Sequence, residues 1–304
     1  MLTVKPLDHD RVGIPANDQL GVMNMKPATE VLARLVCLPG LLCSVLLPAS
    51  FGYCQDALAT ANRNELSASL RQDRSETYFQ YSIWGAFVNK VFEGDLSVAE
   101  MKKRGDVGLG SYTLLEGELV MLDGIPYRIE ETGVVSVPKD EDKIVYANAA
   151  FFDEDASFEI PEINNYEMLR QIIRDRLPSL NYFYAFKITG TFESMKCGGL
   201  SRQEPPFKDG LDILIPNRPV FERQNFKGTL IGFYCPGFIG DINVEGFHFH
   251  FISDDKQFGG HAMEFKAKDL HVAIDKMKQY TFVLPESEKF EAVEFDKQFQ
   301  YQQK

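Results

Sequence analysis

Residues 246–261 read GFHFHFISDDKQFGGH and hold three of the chain's five histidines. Aromatic and imidazole side chains alternate from Phe247 to Phe251, the period-2 pattern of a β-strand. On a strand, His248 and His250 share one face while Phe247, Phe249 and Phe251 share the other. The aromatic face suits the core side of a sheet. The histidines must then face surroundings polar enough to take them.

Residues 253–260 read as the connection to a returning strand in which His261 pairs with Ile252. His261 would then lie on the face of His250, diagonally about 7–8 Å away. Three histidines with one open coordination position make a common catalytic zinc arrangement, so a zinc ion held by His248, His250 and His261 is expected. The competing use is a set of surface or core histidines hydrogen-bonded to backbone, and His9 and His271 are read that way. Glu264 points to the opposite face by the same alternation and stays outside the set.

Other chemistry-bearing patterns are weaker. Glu116 and Glu118 share a face of the strand predicted to follow them, although carboxylates on strands are usually solvated. GDVGLG, residues 105–110, has the glycines of a dinucleotide loop without its spacing or a preceding strand. It reads as too glycine-rich for either regular element. There is no GxSxG context for a serine nucleophile. Cys197 and Cys235 stand far apart with no CxxC pair, which argues against a zinc ribbon or a thioredoxin-type site.

Helical spacing marks residues 84–91, 98–104 and 166–176, the last (YEMLRQIIRDR) being the clearest amphipathic helix, stopped by Leu177-Pro178. GELVMLDGIPYRI predicts a hairpin turning at Asp123-Gly124. Further strands are expected in NYFYAFKITGTF and over 229–234, 244–252 and 262–274. Many strands with few helices suggest an α+β fold rather than a doubly wound parallel sheet.

At 304 residues with a formal net charge of −12, the chain is poorly suited to nucleic acid or an anionic membrane as main partner. Any anionic substrate would need local cations. The apolar run LVCLPGLLCSVLL, residues 35–47, follows Lys26 and Arg34 and precedes small residues. It is shorter than the roughly 20 residues a membrane helix needs and suits a signal-peptide core. Residues 1–54 are therefore read as signal peptide and leader, and 55–77 as a linker. A secreted or periplasmic protein follows, or a cytoplasmic one if the leader is not functional.

Three long stretches, in order, resemble the α-acetolactate decarboxylase family. They are FEGDLSVAEMKKRGDVGLGSYTLLEGELVMLDGIPYRI, LPSLNYFYAFKITGTF and GTLIGFYCPGFIGDINVEGFHFHFISDDKQFGGHAMEF. The resemblance implies zinc-dependent conversion of (S)-2-acetolactate, a small anionic 2-hydroxy-3-keto acid, to (R)-acetoin through a metal-stabilised enediolate. It places the family's metal ligands on His248, His250 and His261 and its GEL-motif glutamate on Glu118. It also implies two closely packed β-rich units with mixed sheets and few flanking helices, 78–185 and 186–304, and a homodimer.

The chain departs from the family pattern twice. Where the family carries a functional arginine, this chain has Gly198-Gly199, so Lys196 and Arg202 become the candidate replacement cations. FEAVEFDKQFQYQQK offers no clear counterpart to a glutamate of the family's C-terminal tail. A related enzyme acting on another enolisable ketone, and a non-catalytic zinc-binding relative, are the alternative readings. For the leader, intact-mass measurement of protein secreted by a native host is expected to show a start after about residue 49, from the small-residue cleavage rule. A cytosolic product retaining residues 35–47 would contradict it.

Overall fold

The computed structural model of the chain describes residues 76–295. The leader, all but the last two residues of the expected linker, and the tail beyond residue 295 lie outside the described residues. Thr77–Tyr81 (β1) is followed by the helix Trp84–Val88 (α1), the short strand Leu96–Ser97 (β2) and the helix Val98–Met101 (α2). Both helices sit where spacing placed them and end earlier than expected. Next come Val107–Tyr112 (β3), Glu118–Leu122 (β4), Ile125–Ile129 (β5), Val135–Ser136 (β6) and Lys143–Ala150 (β7).

The chain then builds Ala156–Ile163 (β8), the helix Tyr166–Arg176 (α3), Phe183–Gly198 (β9), the helix Leu211–Leu214 (α4) and Val220–Cys235 (β10). Gly246–Ser253 (β11), Gly259–Met277 (β12), Gln279–Val283 (β13) and the helix Glu288–Glu291 (α5) complete it.

These strands make two sheets. The first is 8-stranded, ordered β13-β1-β7-β3-β4-β5-β6 with β2 on β7, and is mixed because β13 runs parallel to β1. The second is 5-stranded and antiparallel, ordered β11-β10-β9-β12-β8. Its β11 also pairs with β12, so the sheet curls back on itself at that end. The fold is α+β, as the strand-rich pattern indicated. The sheets do not divide near residue 185, however. β8 already belongs to the second sheet, and β13 returns to the first through pairs such as Tyr78 with Tyr280. Which sheet a strand joins is decided by long-range pairing, which local pattern does not report.

Residues 107–112 correct a second expectation. They form a strand buried along its whole length inside the first sheet. Val107 and Leu109 supply its apolar face, while glycine serves the crowded side. A Cβ on Gly110 would stand 2.0 Å from the carbonyl oxygen of Tyr146 on β7. Only a residue without a side chain permits that approach. The hairpin turn at Asp123-Gly124 is as predicted, with φ of 52° and 76°, the left-handed pair of a type I′ turn.

Leu109 and Val120 of the first sheet share one apolar cluster with Ile231, Phe233 and Ile252 of the second, and this joins the sheets face to face. On the far side of the second sheet, α3 covers Phe247, Phe249 and Phe251 with Leu169 and Ile173, one turn apart. Asn165 caps that helix by accepting from the Met168 N–H at 2.8 Å. Glu167 in the first turn and Arg174 and Arg176 in the last complement its dipole.

Asp275 on β12 is a buried carboxyl, 3% exposed. Burial pushes it up to about 8 against the Asp153 N–H bond, helped by the nearby Asp155, Asp153 and Glu76 charges. The folded chain thus keeps a proton that the unfolded chain releases above about pH 4. Its contribution to stability is full below that pH and is lost as pH rises towards 8. Asp275→Asn, permanently neutral, is expected to flatten the fall of Tm between pH 5 and pH 8 relative to the parent. Equal slopes in a thermal-melt series would contradict this.

Candidate metal centre

The Phe/His alternation of β11 sends the phenylalanines towards α3 and leaves His248 and His250 on the side facing the first sheet. His261 enters from β12 directly opposite His250. The strands therefore pair two residues tighter than the expected Ile252–His261 register, with Ile252 facing Gly259. Side chains shorten the turn. Ser253 Oγ accepts from the Gln257 and Phe258 N–H groups at 3.3 and 3.0 Å and donates to Asp255 at 2.6 Å. Asp255 is in turn held by Arg223 at 2.9 and 2.5 Å. The shift is an even number of residues, so His261 keeps its predicted face.

The three imidazoles converge. Each offers a ring nitrogen, and these nitrogens lie within 4.8 Å of one another. His248 Nε2 and His261 Nδ1 are 3.1 Å apart. His250 Nδ1 sits 2.8 Å from the carbonyl oxygen of Leu119 on β4. A carbonyl only accepts, so Nδ1 carries the proton and Nε2 keeps its lone pair free for a ligand. His248 Nδ1 is buried with no hydrogen-bond partner among the described residues. Burial first, then neighbouring imidazoles (His250 for His248, and both His248 and His250 for His261) and Arg218, hold His248 and His261 well below the ordinary imidazole range. Burial likewise depresses His250 to about 4, against the Leu119 bond and with Arg218 adding to it. Three neutral imidazoles at this spacing, one with an unpartnered buried nitrogen, suit a divalent metal with nitrogen bonds of about 2.0–2.1 Å.

Glu118 stands beside them at the start of β4, 7% exposed. Its Oε2 is 3.6 Å from His250 Nε2, and its Oε1 accepts from the Leu200 N–H at 3.2 Å. Burial pushes this carboxyl up to about 7, against the pull of Arg218 and the Leu200 bond. A carboxyl poised there can hold or release a proton near neutral pH. Glu116 does not share its strand face. It ends a 3-10 turn and lies outside the cavity, near Arg128 at 3.8 Å and Arg202 at 3.4 Å.

The cavity in front of the histidines is walled by Trp84, Phe87, Tyr146, Leu200 and Leu211. Neither Lys196 nor Arg202 lines it. Lys196 lies in register between Glu222 and Glu264 on the neighbouring strands, and Arg202 is exposed and paired with Glu204 at 2.9 Å. The cation that does line it is Arg218, from the turn between α4 and β10. Sequence reasoning missed this residue. Its only local mark is a place in Pro216-Asn217-Arg218-Pro219, and no periodicity points from there to the histidines.

A family model described as alpha-acetolactate decarboxylase matches residues 78–297. This chain belongs to the alpha-acetolactate decarboxylase family. It is 34% identical to the alpha-acetolactate decarboxylase of Brevibacillus brevis over 70% of this chain and 74% of that one. It is 32% identical to that of Methanosarcina mazei, over 82% and 88%. The crystal structure of alpha-acetolactate decarboxylase from Bacillus subtilis strain 168 superposes with a TM-score of 0.70 at 29% identity, covering 73% of this chain and 94% of that one. As a family member, the chain is an enzyme of the carbon–carbon lyase class.

Elemental analysis of protein purified without chelator is expected to find one divalent metal per chain. His248→Ala should abolish uptake. His271→Ala should not, because its 43%-exposed ring pairs with Glu159 at the surface. A metal-poor parent that takes up no added zinc would contradict the assignment.

Proposed function

We propose that His248, His250 and His261 hold zinc and that the cavity decarboxylates (S)-2-acetolactate, or a close 2-hydroxy-3-keto acid, to (R)-acetoin. The observation that carries this reading is the convergence of three neutral imidazoles beside one protonatable buried carboxyl, at the end of an apolar cavity. Zinc held there would supply a Lewis acid for the charge that the proposed decarboxylation, through an enediolate, leaves on the substrate's oxygens.

The chain's own residues do the rest. The Leu119 carbonyl orients His250, and the aromatic wall of Trp84, Phe87 and Tyr146 keeps bulk water from the reacting carbons. When the carbon–carbon bond breaks, its electron pair stays on the fragment that becomes acetoin, and that carbon must then take a proton. Glu118, buried and fixed by the Leu200 N–H, is placed to hold that proton on one side of the cavity, which is what a product of single configuration requires. We likewise propose that the mature protein is secreted or periplasmic, because of the apolar run at 35–47, and is a homodimer, as the family resemblance implies.

A colorimetric acetoin assay with acetolactate, with and without chelator, tests the reading. Turnover that chelator removes and added zinc restores is expected. Glu118→Gln should lower kcat by about 10²–10⁴-fold with metal content retained. A zinc-loaded parent that produces no acetoin would overturn the substrate assignment in favour of another enolisable ketone or a non-catalytic role.

A further inference from the structure

Acetolactate carries a negative charge, and the chain's formal net charge is −12. The three imidazoles that line the cavity are neutral, and the carboxyl beside them, Glu118, is an acid, so none of these four supplies a cation. Something must receive the substrate carboxylate.

Gly198, at the end of β9, is the direct cross-strand neighbour of His261, as His261 is of His250. A Cβ on Gly198 would stand 2.9 Å from Arg218 Cδ, 2.9 Å from Met263 Sδ and 3.3 Å from the Pro219 carbonyl oxygen. The stem of Arg218 thus crosses the volume that a side chain at 198 would fill, and the residue lines the histidine cavity with its charge close enough to act on all three imidazoles and on Glu118. The turn carrying it is stitched to the site, since the Gly199 N–H donates to the Pro219 carbonyl at 3.2 Å. Neighbouring guanidinia are committed elsewhere, Arg202 to Glu116 and Glu204 and Arg128 to Glu116 and Asp142. Arg218 has no carboxylate within 4.0 Å among the described residues.

We propose that Arg218 is the group that binds the substrate carboxylate, and that its reach into the cavity depends on the missing side chain at Gly198. This rests on the functional reading above for the substrate's identity, but the anion site itself does not. A guanidinium grips a carboxylate through two parallel N–H bonds, which fixes the orientation of the bond to be broken; an ammonium cannot reproduce that fork. The contact already exists in the ground state, so it acts mainly on KM and less on kcat.

The test separates the two readings by using an anion that cannot react. 2-Hydroxy-2-methylpropanoate and its uncharged amide are titrated calorimetrically into zinc-loaded parent, Arg218→Ala, Arg218→Gln, Arg218→Lys and Gly198→Ala, each checked for zinc content. The anion is expected to bind the parent more tightly than the amide. Arg218→Ala should lose about 10- to 100-fold in anion affinity, the range for a hydrogen-bonded charge, and raise KM for acetolactate in parallel. Arg218→Lys should recover part of this, and Gly198→Ala should weaken binding several-fold by displacing the Arg218 stem. If Arg218→Ala disturbs folding, Arg218→Gln keeps most of the bulk and carries the same expectation. A parent that does not discriminate anion from amide, or folded Arg218 variants that bind and turn over like the parent, would overturn the anchor. Parent-like binding by Gly198→Ala would overturn the dependence on Gly198. Arg218-dependent anion binding in a parent that makes no acetoin would sink the substrate and leave the anchor standing.

Discussion

The bond between His250 Nδ1 and the Leu119 carbonyl, 2.8 Å long, ties the two sheets together at the point where the chemistry is assembled. Its donor belongs to the strand that carries two of the three histidines, and its acceptor follows Glu118 directly in the chain. One contact therefore sets the tautomer of a ligand, fixes which face of that ring looks into the cavity, and places the carboxyl beside it. A buried imidazole without that acceptor would leave an N–H unsatisfied at a cost of about 1–3 kcal/mol. The cluster of Leu109, Val120, Ile231, Phe233 and Ile252 holds the sheets close enough for the bond to form. Core packing and site geometry are in this sense one constraint.

Burial gives the site its chemical character. Desolvation disfavours charge on every titratable group, so it keeps the imidazoles neutral and available as ligands while raising Glu118 towards neutrality. The same physics makes a lone buried cation expensive, and Arg218 fits this by staying half-buried, with its stem in the space at Gly198 and its head at the cavity. The aromatic strand face does the opposite work. Phe247, Phe249 and Phe251, locked under α3, make a rigid floor from which the histidines project, and rigidity of that kind is what a site with tight geometric tolerances requires.

Much of this was legible in the sequence where the signal is local. Period-2 alternation located β11, helical spacing and an Asn cap located α3, and Asp123-Gly124 located the β4–β5 turn. The common face of His248, His250 and His261 could be read because an error of two residues in register leaves a strand's faces unchanged. The register itself could not, because the Ser253–Asp255–Arg223 contacts that tighten the turn involve a residue on another strand. Glycine misled in residues 105–110. Its usual meaning is a loop, and its meaning here, room for the backbone of β7, depends on a neighbour distant in sequence.

By itself the sequence determined α3, the β4–β5 hairpin and β11, the α+β class, the family and the three candidate ligands with Glu118, since all are properties of nearby residues or of matched motifs. Tertiary structure alone decided the return of β13 to the first sheet, the pairing of His250 with His261, and the exchange of Lys196 and Arg202 for Arg218 as the cation at the cavity. The physical reason is the same in each case. These outcomes depend on which distant backbones come within a few ångströms of one another, and the empty volume at Gly198 has no meaning until the stem of Arg218 is seen to pass through it.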